Sequence, residues 1–160
     1  MYAPTESRFE EHLGPVLLMK KSPGKVPTNV ALSTVDIVGI YFSQWDKPNR
    51  AFTRKLTEAY KSGGKDIQTI MEVVFVAVAD DELGFRDTYA EMPWLGVPLE
   101  AKEQRDKLAR EFSVVTTPCF VLMDAKTGDV ITKNGKETAM GDLSRCPNPL
   151  FGEEGGFTGI

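Results

Sequence analysis

A chain of 160 residues with 41% hydrophobic residues can bury a core without disulfides or metal ions, so we expect a single domain over 1–160. The net charge of −4 and the lack of a basic run argue against a nucleic-acid partner. No apolar stretch is long enough to span a bilayer, and the first residues are too acidic for a signal peptide. A cytoplasmic protein that binds neither nucleic acid nor membranes is therefore predicted.

Cysteine and histidine are too sparse to predict a metal site. Cys119 and Cys146 lie 27 positions apart, which matches neither a zinc motif nor a CxxC motif. His12 is the one histidine, and its polar surroundings in the sequence favour a solvated side chain over a ligand or a base. We expect no metal, no cofactor and a monomeric chain.

The first third of the chain predicts a short hairpin followed by a central strand. Residues 16–20 and 30–35 have the content of two short strands, with a Ser-Pro-Gly turn between them. The apolar run over 37–42 has few polar positions, which is typical of a strand covered on both faces. Gly39 within this run predicts the close approach of another backbone.

The central strand leads into a helix predicted over 48–61. Asp46 can cap this helix, and Pro48 fits its first turn. Apolar residues recur at four-residue steps on one side of it: Phe52, Leu56 and Tyr60. A second apolar run over 73–79 predicts another central strand, so the two strands should form a parallel pair with a right-handed crossover.

A second helix is predicted after the second central strand. Asp80 and Asp81 can cap this helix, and Pro93 ends it. Residues 94–98 are predicted to form a loop in which Trp94 is half-buried.

The last third of the chain predicts a surface helix and an antiparallel hairpin. Residues 101–112 combine alternating charges with a narrow apolar stripe, which is typical of a surface helix. Strands over 119–123 and 130–132 flank a turn in which Gly128 can take a positive φ. A last helix is predicted over 136–145. Residues 1–14 and 147–160 are predicted to be loosely structured termini.

Residues 41–50, which read YFSQWDKPNR, form the corner between the first central strand and its helix. Chemistry is often placed at such a corner, but its WDKPN segment contains no Cys, Ser or His that could act as a nucleophile or base. It contains a carboxylate, Asp46, and an amide, Asn49. A helix N-terminus stabilises a capping carboxylate by roughly 0.5–2 kcal/mol. A plain cap is the favoured interpretation, and recognition of a polar partner group is the alternative.

A strand-helix-strand unit with a Trp at the corner, followed by Thr-Pro at the start of an antiparallel hairpin, resembles the thioredoxin fold. Residues 16–132 resemble the tryparedoxins and nucleoredoxins in three segments: YFSxW followed by Pro and Arg, EVVF at 72–75, and EMPWLGVP at 91–98. The resemblance implies an α/β, thioredoxin-like fold. Its central mixed β-sheet would be flanked by helices on both faces and preceded by a short N-terminal β-hairpin.

In the resembled family the corner reads WCPPCR, and reduced protein passes electrons from a low-molecular-weight dithiol to peroxidases. The first cysteine attacks a disulfide and the second resolves the mixed disulfide. In this chain Trp45, Pro48 and Arg50 match the family, whereas Asp46 and Asn49 replace the two cysteines. The resemblance therefore covers most of the chain but fails at the residues that carry the chemistry.

Two further differences concern the geometry around the corner. One residue, Gln44, stands between Ser43 and Trp45, one fewer than in the family, and Lys47 replaces a proline. The segment Thr117-Pro118 matches the family's cis-proline, and an X-Pro bond is the usual place for a cis peptide. The family has an aliphatic residue before that proline, where this chain has threonine.

We therefore hypothesise a redox-inactive, tryparedoxin-like domain that acts as a binding or adaptor module for a protein partner. Arg50 is expected to face solvent, and the resemblance implies that it helps to hold an anionic substrate. Trp45 is expected to be half-buried, with a weaker case for a recognition role. The candidate binding residues are Trp45, Asp46, Asn49, Arg50, Thr117 and Pro118.

The alternative hypothesis is an enzyme, a thiol-disulfide oxidoreductase or peroxide sensor that uses Cys119. This cysteine directly follows the expected cis-proline, and Cys146 could act as its resolving partner. Cysteine is among the most buried residue types, and strand residues alternate between faces, so a core position for Cys119 is the favoured interpretation.

Overall fold

The computed structural model describes residues 12–19, 24–62, 70–79 and 81–132. Seven strands lie in these ranges: β1 (Val16–Leu18), β2 (Lys25–Pro27), β3 (Ile37–Ser43), β4 (Met71–Ala77), β5 (Leu95–Gly96), β6 (Cys119–Asp124) and β7 (Val130–Thr132). The helices described there are α1 (Thr28–Ala31), α2 (Lys47–Ser62), α3 (Glu82–Ala90) and α4 (Lys102–Glu111).

The seven strands form one mixed sheet in the order β2-β1-β5-β4-β3-β6-β7. The two predicted central strands, β3 and β4, run parallel because α2 lies in the connection between them. β6 is antiparallel to β3 on its other side, and β7 returns beside β6. At the other end of the sheet β1 and β2 form the N-terminal hairpin. The predicted α/β fold with a mixed sheet is confirmed.

Helices cover both faces of this sheet, because alternate residues of each buried strand point to opposite sides. On one side α2 and α3 pack against a core that includes Tyr41, Phe75 and Phe120. On the other side Leu108 of α4 and Phe112, directly after this helix, contribute to a second core. β3 and β4 are buried along their whole length, as predicted for strands covered on both faces.

The second strand of the N-terminal hairpin does not lie where the sequence predicted it. β2 precedes the predicted strand over 30–35, which instead contains the end of α1 and a turn. The backbone N–H of Thr28 donates to Pro15 O at 3.0 Å and anchors α1 beside β1. Leu32 and Val35 are buried without belonging to a strand. The aliphatic content of this segment therefore reflects core packing and not strand pairing.

The loop predicted around Trp94 contains a strand, β5, that joins the hairpin to the central sheet. Gly96 pairs with Phe75 of β4 on one side and with Leu18 of β1 on the other. Trp94 is fully buried, not half-buried, and its ring meets Tyr60 edge-on with centroids 5.5 Å apart. Both corrections depend on contacts between distant segments, which local sequence periodicity does not report.

Gly39 of β3 lies against the aromatic ring of Phe120, and not against another backbone as the sequence predicted. A Cβ atom at position 39 would lie 2.6 Å from Phe120 Cε1. Phe120 is fully buried and packs edge-on against Tyr41 with ring centroids 6.0 Å apart. The ring therefore has little room to move away from a larger residue at position 39.

We expect Gly39→Ala to lower the free energy of unfolding by about 1–3 kcal/mol, the usual cost of forcing extra volume into a packed core. Urea denaturation followed by tryptophan fluorescence measures this loss. The double variant Gly39→Ala, Phe120→Leu should recover part of it, because the smaller side chain frees space. A loss below about 0.5 kcal/mol for the single variant would show that the ring can move aside.

Several sequence predictions concern residues outside the described ranges. They are the capping candidate Asp80, residues 1–11 of the N-terminal lead-in, the last helix over 136–145, Cys146 and the C-terminal tail over 147–160. Within the described ranges, no helix combines the length and the apolar composition needed to cross a bilayer. That part of the chain also contains no cluster of three or more His, Cys, Asp or Glu side chains suited to a metal ion.

Candidate functional site

The corner between β3 and α2 lies at an edge of the sheet where several elements meet. The parallel strands β3 and β4 both end at this edge. β6 is antiparallel to β3 and begins there, with Cys119 opposite Phe42. The first turn of α3 also approaches the corner, since a Cβ atom on Gly84 would lie 3.4 Å from Trp45 Cβ.

Asp46 caps α2 with both oxygens of its carboxylate engaged. Asp46 Oδ1 accepts hydrogen bonds from the backbone N–H of Asn49 at 3.0 Å and from Asn49 Nδ2 at 2.6 Å. Asp46 Oδ2 accepts from Gln44 Nε2 at 2.8 Å. The geometry is that of a helix N-cap, as the sequence predicted.

Asn49 does not present its amide to a partner. Its side chain is buried, with 2% of the residue surface exposed. Asn49 Oδ1 accepts from Ser43 Oγ at 3.1 Å while Nδ2 donates to Asp46. Tyr41 Oη lies 3.4 Å from Asn49 O, which ties the helix start to β3. The alternative in which Asn49 recognises a polar partner group is therefore corrected in favour of the cap, because both ends of the amide are hydrogen-bonded within the corner.

The Asp46 carboxyl has a pKa below its ordinary value. The largest cause is the hydrogen bond that the side chain of Asn49 donates to it, and the bonds from the Asn49 backbone and from Gln44 act in the same direction. Together they outweigh the partial burial of the group, which acts in the opposite direction. The carboxylate is therefore held in its charged form at the start of α2.

We expect Asp46→Ala to lower the free energy of unfolding by about 1 kcal/mol at pH 7, because the helix loses its cap. Since the folded pKa is depressed, this contribution is complete above the unfolded-state pKa and is lost as the pH falls through the folded-state pKa. The difference between wild type and variant in urea denaturation should therefore shrink between pH 7 and about pH 3. A difference that stays constant over that interval would contradict an ionised cap.

Trp45 and Arg50 form the exposed side of the corner. Trp45 is 38% exposed, and Arg50 Cζ lies 4.2 Å from the centroid of its ring. This is the geometry of a cation–π contact. Arg50 Nη2 is also 4.0 Å from Glu91 Oε2. The Arg50 guanidinium therefore lies over the indole of Trp45 and near the carboxylate of Glu91. It does not simply extend into solvent as expected.

A cavity of about 80 Å³ lies beneath Trp45, between the corner and α3. Its walls include the small residues Ala77 and Gly84. A Cβ atom at position 84 would lie 2.7 Å from Asp81 Oδ2, so glycine allows this close contact. Asp81 caps α3 as predicted, with Oδ1 accepting from the backbone N–H of Leu83 at 3.2 Å.

The segment before β6 brings Thr117, Pro118 and Cys119 to the same edge of the sheet. The Thr117–Pro118 peptide bond is cis, and all three residues are partly exposed. Cys119 is a thiol and not half of a disulfide. Like Val121 and Met123, it packs against the core under α4, on the face opposite α2. The thiol therefore belongs to the other side of the sheet from the corner helix.

The edge around the corner carries much of the exposed apolar surface of the described residues. Seven large hydrophobic residues are exposed in the described ranges; Trp45, Val78 and Leu83 lie beside the corner, and Val115 lies in the loop that leads into β6. Val115 is 89% exposed, and the backbone N–H of Val78 donates to Ser43 O at 3.2 Å beside the corner. The sequence did not predict that Val78, Leu83 and Val115 are exposed, because an isolated aliphatic residue carries no local signal. We refer to Trp45, Arg50, Val78, Leu83 and Val115 as the corner surface.

Residues 35–130 match the family model described as thioredoxin-like. The match covers more than half of the chain and includes the corner and the loop before β6. The chain belongs to the thioredoxin-like family.

Among thioredoxin-like proteins, the chain is similar to tryparedoxins and nucleoredoxins. It is 31% identical to the tryparedoxin of Trypanosoma brucei brucei over 106 residues, which cover 66% of this chain and 72% of that protein. It is 35% identical to the nucleoredoxin of Homo sapiens over 106 residues, which again cover 66% of this chain. The match spans 24% of the nucleoredoxin length, so the chain corresponds to about a quarter of that relative.

Solved tryparedoxin structures share the fold of this thioredoxin-like chain. Native tryparedoxin I from Crithidia fasciculata has a TM-score of 0.76 and 32% identity, covering 89% of this chain and 96% of that chain. Tryparedoxin II from Crithidia fasciculata has a TM-score of 0.78 and 27% identity, covering 91% and 95%. The thioredoxin-like scaffold is therefore intact, while Asp46 and Asn49 stand where the resemblance places the two cysteines of the corner.

Proposed function

We propose that this thioredoxin-like chain is a redox-inactive, tryparedoxin-like binding module whose corner surface contacts a protein partner in the cytoplasm. One observation carries the proposal. Asp46 and Asn49 stand at the positions that the resemblance assigns to the family's dithiol. Their side chains are hydrogen-bonded to each other at 2.6 Å at the N-terminus of α2. The proposal involves neither a nucleic acid nor a membrane.

The residues at the corner cannot perform thiol-disulfide exchange. That reaction needs a thiolate that attacks a disulfide and a second thiol that resolves the mixed disulfide. Asp46 and Asn49 supply neither group. The Asp46 carboxylate already accepts three hydrogen bonds, which stabilise the N-terminus of α2.

The corner surface has the composition of a protein-contact site. Trp and Arg are the residue types most enriched among interface hot spots, and Trp45 and Arg50 are stacked on each other here. Leu83 is 62% exposed beside the corner, and Val115 is 89% exposed in the loop that leads into β6. Exposed apolar side chains gathered at one edge favour an interaction site over a plain solvated surface.

Site-specific photo-crosslinking tests the binding role. Benzoylphenylalanine at position 83 or 115 should crosslink one and the same protein, identified by mass spectrometry. The matched control is position 30, since Val30 is 63% exposed on α1, away from the corner. Trp45→Ala should lower the crosslink yield at least about fivefold if Trp45 is a hot spot. Equal yields from position 30, or yields that Trp45→Ala leaves unchanged, would contradict a partner at the corner surface.

A thiol enzyme is the second candidate, because the partly exposed Cys119 lies directly after Pro118 at the same edge. Its packing against the core under α4 argues against it, since reactive cysteines occupy accessible, electropositive surroundings. The rate of iodoacetamide alkylation at Cys119 separates the two functions. A rate below that of a cysteine in a short peptide supports the binding module, and a rate about tenfold above it supports the enzyme.

A further inference from the structure

A second cavity, of about 600 Å³, lies between α3 and the N-terminal hairpin. Its volume falls within the range typical of small-molecule sites. Most of its walls are apolar side chains: Leu18, Met19, Phe85, Tyr89, Met92 and Leu99. None of these residues belongs to the corner surface, although Phe85 also lines the smaller cavity beneath Trp45.

Aromatic stacking and hydrogen bonds hold the walls of this cavity in place. The rings of Phe85 and Tyr89 stack with centroids 5.8 Å apart and an interplanar angle of 22°. Tyr89 Oη lies 2.7 Å from Trp94 O and 3.2 Å from Met19 O, so the hydroxyl lies between β5 and the hairpin. The small residue Ala90 leaves the space beside the rings open. The cavity is therefore largely formed before any ligand arrives.

Three charged residues line the cavity: Glu82, Arg86 and Glu100. Other groups compensate the negative charges of the two glutamates. Lys25 Nζ donates to Glu100 Oε2 at 2.8 Å. Glu82 lies in the first turn of α3, where the helix N-terminus compensates a negative charge. Arg86, in contrast, forms no ion pair with any other described residue. Among the described residues that line the cavity, the charge without an ionic partner is therefore the positive charge of the Arg86 guanidinium.

We propose that this cavity binds a small apolar molecule that carries one anionic group, with its apolar body against Phe85, Tyr89 and Leu99 and its anion on Arg86. A guanidinium is well suited to a carboxylate or a sulfonate, because its N–H groups can donate two parallel hydrogen bonds. The inference is independent of the proposed function at the corner.

A matched pair of fluorescent probes tests the chemistry of the ligand. 8-Anilinonaphthalene-1-sulfonate has an apolar aromatic body and one sulfonate, and N-phenyl-1-naphthylamine has the same body without the charge. Both probes should bind with a stoichiometry near one per chain. Arg86→Gln should raise the Kd of the sulfonate about tenfold, as loss of one charge-assisted contact does, and change the Kd of the neutral probe less than about twofold.

Two further variants separate the cavity from nonspecific binding. Ala90→Trp places a large ring in the cavity and should abolish saturable binding of both probes. Arg54→Gln removes the same charge from an exposed position on α2 and should leave both Kd values unchanged. Circular dichroism melts confirm that each variant is folded before its binding is interpreted.

Methionine methyl NMR places the probe without any substitution. Met19 and Met92 line the cavity, and Met92 also packs in the core that contains Met71, while Met123 lies in the other core. The sulfonate probe should shift the methyl signals of Met19 and Met92 and leave those of Met71 and Met123 in place. Absence of saturable binding, or shifts confined to other methyls, would overturn the site. Equal weakening of both probes by Arg86→Gln would overturn the anionic character of the ligand.

Discussion

Replacing Asp46 and Asn49 together by cysteine is expected to raise the disulfide reductase activity of this protein well above that of the wild type. The two side chains already touch, with Asn49 Nδ2 2.6 Å from Asp46 Oδ1, so two sulfurs placed there are within reach of each other. Position 46 precedes the first turn of α2, where the helix lowers the pKa of a thiol. Insulin reduction by a dithiol donor should run at least about tenfold faster with the double variant than with the wild type.

Two controls make this expectation specific. The serine pair, Asp46→Ser with Asn49→Ser, opens the same space without thiols and should stay inactive. The single variant Asp46→Cys can attack a disulfide but has no resolving thiol at the corner, so it should accumulate as a mixed disulfide. A folded double cysteine variant that shows two additional titratable thiols and no activity would show that this corner no longer supports the chemistry of its relatives.

Arg105→Met is expected to lower the free energy of unfolding by about 2–6 kcal/mol, because it removes the donor from two backbone carbonyls and each unsatisfied buried group costs about 1–3 kcal/mol. Arg105 lies on α4 and is 3% exposed. Its Nη1 donates to Ala77 O at 2.9 Å, and its Nε donates to Leu99 O at 3.1 Å. This side chain therefore joins α4 to the end of β4 and to the segment after β5.

The matched control for this loss is Arg110→Met on the same helix. Arg110 is exposed in the last turn of α4, so its replacement should change the free energy of unfolding by less than about 0.5 kcal/mol. Urea denaturation of both variants gives the comparison. Equal losses for the two arginines would mean that helix propensity, and not the buried carbonyl contacts, explains the effect.

Strong local patterns made the centre of this fold predictable from sequence. The apolar run over 37–42 and the four-residue spacing of Phe52, Leu56 and Tyr60 correspond to β3 and α2. Asp46 and Asp81 cap the helices that follow them, since an aspartate before a helix offers its oxygens to unpaired N–H groups. Such features depend on residues within a few positions of each other.

The parts that sequence did not predict depend on contacts across the fold. β5 exists because Gly96 lies between Phe75 and Leu18, two residues from other strands. Asn49 is buried, because Ser43 and Asp46 take up both ends of its amide, and the sequence did not predict this burial. The apolar cavity beside Arg86 forms between the hairpin and α3, and no residue spacing along the chain predicts that these two elements lie next to each other.

The most direct test of redox inactivity is the rate of dithiol-driven insulin reduction by the wild type, compared with the double variant Cys119→Ser, Cys146→Ser. Those two residues are the only thiols of the chain. If the corner has lost its chemistry, both proteins give the rate of the dithiol alone. A wild-type rate well above that background, which disappears in the double variant, would contradict a redox-inactive module and identify a thiol enzyme.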